Sequence, residues 1–320
     1  MDQIVTIVLP VFGIIGIGYL IAWSGIFSAE TGDAISDFVF AVPIPVLLFQ
    51  TIALAEIPSG AAPLLTWAAH FIGFTLIWVA GTLIVRRVFG RDARAGVVGG
   101  TAAAYTNAFM LGIPLVVTAY GEEALAPISL IVAAQLPLLM VVSAILIERA
   151  LIVDGVSDAS LKRSDMIMNV GRNVITNPFV ISMAIGFAWR LTGLPLLGPV
   201  ATIVDRIADI ASTLALLALG IGLRKYGVSG NARAAIVLTF LKLIAMPAIA
   251  LLVVLFVVPL PPIWAKVVVI VAACPSGSNV YVVASRFRTG EALASNTIVL
   301  TTALSVVSVT FWLAVVELLI

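Results

Sequence analysis

Long apolar runs separated by short polar segments dominate the chain. A membrane-spanning helix needs about 20 mostly apolar residues, and ten segments of the sequence meet that requirement. The predicted spans are residues 4–23, 34–55, 65–85, 95–119, 127–148, 173–192, 199–223, 232–258, 264–285 and 292–318. The pattern therefore predicts an all-α integral membrane protein with ten transmembrane helices.

Polar, helix-breaking residues interrupt two of these spans. The string YTNAFMLGIP runs from Tyr105 to Pro114 in the fourth span, and CPSGSN runs from Cys274 to Asn279 in the ninth. Lipid cannot satisfy free backbone N–H and C=O groups, so non-helical backbone at membrane depth must line a cavity or be buried in protein. Broken helices at corresponding places in the two halves of a chain are typical of a transporter's substrate site.

The composition narrows the class of protein. Apolar residues make up 62% of the chain and charged residues 10%, against roughly 25% charged in a typical soluble domain. The single cysteine, Cys274, excludes an internal disulfide and a cysteine-type zinc site. The sequence has no HExxH, GxSxG or Walker motif. We therefore expect no enzyme, no metal, no cofactor and no nucleic-acid partner.

Basic residues concentrate on one side of the predicted spans. Thirteen of the 17 Lys and Arg residues fall in the odd-numbered loops, and two fall in the even-numbered segments. Loops rich in Lys and Arg stay in the cytoplasm, so both termini are predicted to lie outside. The first residues, MDQIVTIVLP, contain no basic residue ahead of the apolar run, so we expect this segment to stay as the first span rather than to be removed as a signal peptide.

The longest loop divides the spans into two sets of five. We expect residues 1–148 to form the first repeat, 149–172 a cytoplasmic linker and 173–320 the second repeat. An odd number of spans in each half inverts the second half relative to the first. Several residues recur at similar offsets, namely Pro10 and Pro178, Gly18 and Gly186, Gly25 and Gly193, Asp33 and Asp205, and Asp37 and Asp209. An inverted duplication explains these matches; chance alignment of two apolar sequences is the alternative.

The first break carries three candidate residues. Asn107 places an amide at mid-membrane, and Gly112 would let another backbone approach. Pro114 has no N–H and opposes the carbonyl four residues earlier. A proline kink with a capping Asn explains this motif as well as a binding site does.

The second break is harder to explain as a kink. Four polar or helix-weakening residues follow its proline, and the candidates are Pro275, Ser276, Gly277, Ser278 and Asn279. A half-helix that starts here would present N–H groups and the positive end of its dipole to an anion. We interpret this segment as a functional broken helix.

Four further polar residues lie within predicted spans, and each leaves two interpretations open. Lys242 faces a partner or a wet cavity, or it snorkels toward the interface. Asp209 binds a proton or a counter-ion, or it has a structural role, either as a partner of Arg206 or in a hydrogen bond away from lipid. His70 couples protons or is a packing histidine. Gln135 hydrogen-bonds a substrate or makes an interhelical bond.

Several strings resemble the auxin efflux carrier family, which includes the plant PIN-formed carriers and bacterial malate or malonate permeases. Asn107 is followed by Gly-Ile-Pro-Leu from Gly112 and by Tyr120-Gly121, as in the plant carriers. FAVPIPVLLF in the second span, Gln135 thirteen residues before Glu148, and Lys242 five before Pro247 are similar to family patterns. So are Asp209 ahead of LALGIGL and the Pro-x-Gly at Pro275. Thr106 and Ser278 replace family prolines, and the loop at 149–172 is short, as in bacterial members.

The resemblance implies a fold and a function. The broken fourth and ninth helices would cross at mid-membrane and bind a carboxylate. Helices 1, 2, 6 and 7 would form a scaffold, and helices 3–5 and 8–10 a transport domain that moves as an elevator. The expected protein is a carrier of small organic anions such as malate, malonate or auxin-like acids in the bacterial inner membrane, with Lys242 assisting electrostatically or tying the crossing together. Its other partners would be the lipid bilayer and, in a homodimer, a second copy.

Two other functions stay open at this point. A sodium-coupled symporter of the bile-acid type shares the general architecture, and Thr106, Ser276, Ser278 and Asn279 could supply some of its sodium ligands. A channel or a sensor on the same fold is the second. The coupling ion, if one is used, would be H⁺ or Na⁺.

Overall fold

The computed structural model describes residues 2–54, 62–155, 176, 178–223, 232–286 and 289–320. Fourteen α-helices are described. They are α1 Asp2–Trp23, α2 Ala29–Ala41, α3 Pro43–Leu54, α4 Ala62–Arg87, α5 Ala93–Ala104, α6 Ile113–Tyr120, α7 Leu125–Val153, α8 Pro178–Thr192, α9 Gly198–Gly222, α10 Ala232–Phe240, α11 Met246–Phe256, α12 Pro262–Ala273, α13 Asn279–Arg286 and α14 Glu291–Leu319. Two π-helical turns join consecutive helices: Ala108–Gly112 precedes α6, and Leu241–Ala245 joins α10 to α11.

The described residues are helical and contain no β-strand, apart from a single isolated bridge between two loop residues. Five apolar segments in the described part of the chain are long enough to cross a membrane. They are Thr6–Trp23, Glu30–Leu54, Ala62–Arg87, Ala232–Phe256 and Glu291–Leu319. The prediction of an all-helical integral membrane protein is confirmed at this level. Of the predicted linker 149–172, residues 156–172 lie outside the described residues.

The helices pack in two groups. The first group contains α1, α2, α3, α8 and α9, with α9 against α1, α2 and α3, and α8 against α3. The second contains α4, α5, α7 and α10 to α14, with α4 against α5 and α11, and α12 against α11 and α14. The first π-turn and α6 lie where the groups meet, because both also contact α9.

Glycines set the close helix contacts inside the first group. A Cβ added at Gly18 of α1 would overlap the carbonyl oxygen of Leu217 on α9. A Cβ at Gly186 of α8 would lie 2.7 Å from the carbonyl oxygen of Phe49 on α3. Small residues allow such approach between membrane helices, and no other residue type fits either contact without a shift of backbone.

The second π-turn is stabilised from a neighbouring helix. Pro247 has no N–H to donate to the carbonyl of Leu243 four residues earlier. That carbonyl accepts hydrogen bonds from Ser308 Oγ at 2.8 Å and from Trp312 Nε1 at 2.9 Å, both on α14. Helix α14 thus satisfies the group that the proline leaves free, at the π-turn between α10 and α11. Side chains on the turn, Lys242 among them, are thereby held in place.

Candidate functional site

The two breaks lie directly against each other. Thr106 and Ser276 form an antiparallel bridge. The N–H of Asn107 donates to the carbonyl of Pro275 at 2.8 Å, and the N–H of Gly277 donates to the carbonyl of Tyr105 at 3.3 Å. Each non-helical segment therefore satisfies backbone groups of the other, as buried backbone in a membrane requires. We call this paired region, Tyr105–Asn107 with Pro275–Gly277, the crossing.

The ring of Tyr105 explains the glycine in the second break. A Cβ at Gly277 would lie 2.8 Å from Tyr105 Cδ1 and closer still to Cε1, so any side chain there would displace the ring. The Tyr105 hydroxyl accepts a hydrogen bond from Asn279 Nδ2 at 2.9 Å. The sequence predicted that Gly112 lets another backbone approach, and this prediction is wrong. The nearest atoms to a Cβ added at Gly112 are 3.4 Å or more away, and the backbone atom among them belongs to Asn107 of the same break.

Ser276 is fully engaged in holding the crossing. Its hydroxyl donates a short hydrogen bond to the carbonyl of Ala102, and its N–H donates to Thr301 Oγ1 at 3.1 Å. The residue is completely buried. Its groups therefore connect α5, the second break and α14.

Lys242 lies at the centre of the crossing and does not snorkel. Its side chain is 0% exposed. The Nζ atom donates to Ala272 O at 2.7 Å, to Thr106 Oγ1 at 3.1 Å and to Met246 Sδ at 3.2 Å. One ammonium thus ties the first break to the helix before the second. No carboxylate lies within ion-pair distance of it among the described residues.

Gln135 on α7 and His70 on α4 form a hydrogen-bonded chain that ends at the first break. Gln135 Nε2 donates to the carbonyl of Thr106 at 2.7 Å. Its Oε1 is 3.0 Å from His70 Nε2, which must then carry the proton. Both residues are buried, and His70 Nδ1 has no partner within the described structure. Gln135 makes the interhelical bond that the sequence left as one alternative.

Asn107 offers a free donor at the crossing. Its Oδ1 accepts from the N–H of Met110 at 3.2 Å and caps the π-turn. Its Nδ2 is buried and has no partner in the described part of the chain. A buried amide donor without an acceptor is costly, so this group suits a bound anion. Ser278, in the second break, is half-buried.

Pro114 and Pro275 limit the regular helices around the crossing. Pro114 lies in the first turn of α6, and Pro275 follows the capping residue of α12. The ends of α5 and α12 and the starts of the first π-turn and of α13 lie at the paired breaks. The helical segments that start there, at Ala108 and Asn279, turn the positive ends of their dipoles toward this region, which favours an anion.

Asp209 lies apart from the crossing. It is exposed and lines a cavity of about 380 Å³ between α3, α6, α7 and α9, together with Gln50, Thr51, Ser212 and Glu122. It makes no ion pair with Arg206 within the described structure, so that sequence alternative is wrong. On the same face of α9, Asp205 accepts a hydrogen bond from Gln50 Nε2 at 2.6 Å.

Sequence reasoning gave Tyr105 and Thr301 no role in the crossing, and it named Thr106 only as a possible sodium ligand. Tyr105 and Thr106 stand at the start of the first polar string, and their position within a break was the available signal. Thr301 gave no signal, because its hydroxyl also bonds carbonyls within α14 at Thr297 and Ile298 as any helical threonine can. Only its approach to Ser276 reveals its role.

Comparison with known proteins identifies a family and a relative of this chain. The sequence matches the family model described as "Membrane transport protein" over residues 3–313. Over 313 residues it is 26% identical to a protein of Rhizobium meliloti (strain 1021) named "Putative malonate transporter". The aligned region covers 97% of this chain and 95% of that protein. The family match spans nearly the whole chain and both breaks. The chain belongs to this membrane transport protein family, the auxin efflux carriers.

Proposed function

We propose that the protein is a secondary carrier of small organic anions, monocarboxylates or dicarboxylates such as malonate or malate. One observation carries the proposal: the Lys242 ammonium is buried at the crossing without an acidic partner among the described residues. A buried charge without a counter-ion is unfavourable. A carboxylate bound at the crossing would supply that counter-ion.

The roles of the two main residues differ. All three N–H groups of Lys242 are engaged by protein acceptors, so its charge acts on the anion without direct contact. Asn107 Nδ2 is the free donor that would contact the carboxylate. The positive dipole ends of the first π-turn and of α13 would add to its attraction for the anion. Gly277, Pro275 and Ser276 shape the crossing, and Ser278 and Asn279 line its accessible side.

The proposed architecture has ten spans in two inverted repeats. The pair Gly18 and Gly186, which sequence offsets relate, supports this because each glycine forms a close helix contact in the first packing group. That group, α1 to α3 with α8 and α9, would be the scaffold. The other group would be the transport domain of an elevator. Both termini would lie on the outer side of the bacterial inner membrane, and the protein would form a homodimer.

The contacts favour this function over the alternatives. A sodium site would need several free oxygens, but Thr106 Oγ1 already accepts from an ammonium and Ser276 Oγ is engaged with a carbonyl. An ammonium this close would also repel Na⁺. A channel needs a continuous pore, whereas the two breaks seal each other by backbone bonds.

Counterflow in proteoliposomes tests the proposal. Purified protein would be reconstituted with a panel of radiolabelled carboxylates, with and without Na⁺ and a pH gradient. We expect saturable exchange of at least one acid that is independent of Na⁺ and is lost in Asn107→Ala. Removing the Asn107 cap costs about 1 kcal/mol, so the variant still folds. Ser143→Ala is the matched control, because Ser143 Oγ is also buried without a partner in the described structure but lies on α7 away from the breaks.

The results separate the candidate functions. Exchange of no carboxylate would overturn the substrate class. Normal exchange by Asn107→Ala would remove this residue from the site. Strict dependence on Na⁺ would favour the symporter, and ohmic currents would favour a channel.

A further inference from the structure

The crossing contains one formal positive charge. Among the residues whose side chains the structure describes, Lys242 is the only Lys, Arg, Asp or Glu that is buried. Its three acceptors, a carbonyl, a hydroxyl and a thioether, are all neutral. No second cation or anion therefore adjusts the charge that a ligand meets there.

The titratable neighbours of Lys242 do not change this count. They are Cys274, which follows α12, and His70 on α4. Cys274 Sγ donates to the carbonyl of Ile270 and therefore carries its proton. His70 donates from Nε2 to Gln135, whose own amide is committed to Thr106. Its Nδ1 has no acceptor in the described structure, so this histidine is held as a neutral side chain.

The helix ends at the crossing add no net charge. The carboxyl ends of α5 and α12 carry partial negative charge, and the amino ends of the first π-turn and of α13 carry partial positive charge of similar size. Two ends of each sign adjoin the paired breaks. They orient an anion but do not neutralise a second negative charge.

The cavity beside Asp209 also disfavours a dianion. Its volume is about 380 Å³, and its lining contains two carboxylates, Asp209 and Glu122, and no Lys or Arg. It lies between the two helix groups, against α6, which begins at the crossing. An anion that passes through it meets repulsion that rises with its charge.

We propose that the crossing accepts its substrate only as a monoanion, so that a dicarboxylate is carried with one bound proton. This inference rests on the proposed function. One ammonium neutralises one carboxylate, and a second ionised carboxylate would remain uncompensated beside buried groups that water screens only weakly. Protonation of that second group removes the cost. A dicarboxylate would therefore bring its own proton, and no protein side chain needs to carry one.

Uptake by the full-length protein in proteoliposomes tests this. The probes are radiolabelled malonate and its monomethyl ester, each well below its KM, with equal pH on both sides and the membrane potential held at zero. Above the second pKa of malonate, we expect its uptake rate to fall about tenfold for each pH unit. The ester, a monoanion throughout, should show no such fall.

Charge movement gives an independent measurement that needs malonate alone. At a pH where most malonate is dianionic, the charge moved per malonate should be one, because a proton accompanies each molecule. A ratio of two overturns the inference, and so does a malonate rate that is flat with pH. An equal fall for malonate and the ester also overturns it, because the titrating group would then belong to the protein.

Failure of the proposed function looks different. In that case neither probe, nor any other carboxylate, exchanges saturably at any pH. If the ester alone is not carried, the charge ratio for malonate still decides the question.

Discussion

Replacing Lys242 by Met tests the electrostatic role of the buried ammonium. The change removes the charge but keeps an unbranched side chain of similar length. For a carboxylate about 5 to 8 Å from Nζ and an effective dielectric constant near 20, the lost attraction is about 2 to 3 kcal/mol. The affinity for the anion should therefore fall by about 30- to 160-fold.

Stability should change much less than binding. Ala272 O and Thr106 Oγ1 each lose a donor, at a cost of about 1 to 3 kcal/mol per group. The variant also escapes the desolvation of a buried ammonium, which amounts to several kcal/mol. These terms oppose each other, so the melting temperature in detergent should stay near that of the wild type. Lys242→Gln removes the same charge and keeps a donor for the carbonyl.

Equilibrium binding of a radiolabelled carboxylate to purified protein measures the effect. Lys266→Met is the matched control, because it also removes one ammonium, but from an ion pair with Glu317 at 2.8 Å near the start of α12. Its affinity should match the wild type. If folded Lys242→Met and Lys242→Gln bind within threefold of the wild type, the ammonium is a structural tie and the electrostatic argument is refuted.

Three further changes probe the contacts around the site. Gly277→Ala should slow exchange at least tenfold, because its Cβ displaces the Tyr105 ring; initial counterflow rates measure this, and a normal rate would show that the ring can move freely. Trp312→Phe removes one of the two donors to the Leu243 carbonyl and should lower the melting temperature by an amount equivalent to about 1 kcal/mol. An unchanged melting temperature would mean that the Ser308 hydroxyl alone suffices for this carbonyl. Burial alone would raise the pKa of Asp154, but the Ala93 and Arg94 N–H groups and the Arg94 guanidinium lower it. At pH 7, Asp154→Asn should therefore lower the free energy of unfolding by about 1 to 2 kcal/mol. This difference should disappear as acid protonates the wild-type carboxyl below about pH 4. Thermal melts at several pH values measure it, and a difference that persists in acid would contradict the assignment.

The sequence located both breaks because proline, glycine and polar residues cluster within a few positions of an apolar span. The family resemblance implied that the two broken helices cross, but it could not give the pairing of Thr106 with Ser276, because these residues lie far apart in the chain. The sequence left Lys242 between burial and snorkelling, since the choice depends on whether neutral acceptors surround the ammonium in the folded state. Gly112 was misread because a glycine beside a proline looks the same whether or not another backbone is near. Such questions are settled by tertiary contacts.

The all-helical class followed from composition and periodicity alone. The π-turns did not, because a change from i→i+4 to i→i+5 bonding leaves the apolar pattern almost unaltered. The π-turn at Leu241–Ala245 contains the buried Lys242. A shift of one residue rotates a side chain around a regular helix by about a quarter turn. Without the π-turn, the Lys242 side chain would therefore point about a quarter turn away from its position in the structure.

The backbone bonds between the breaks also constrain how the protein is made. The first half of the chain is synthesised with the Asn107 N–H and the Tyr105 carbonyl facing no partner, because Pro275 and Gly277 are not yet present. Those groups can be satisfied only by water or by the ribosome-associated insertion machinery until the second half arrives. The site therefore comes into existence at the last stage of assembly, and a chain that fails to join its halves has no site at all.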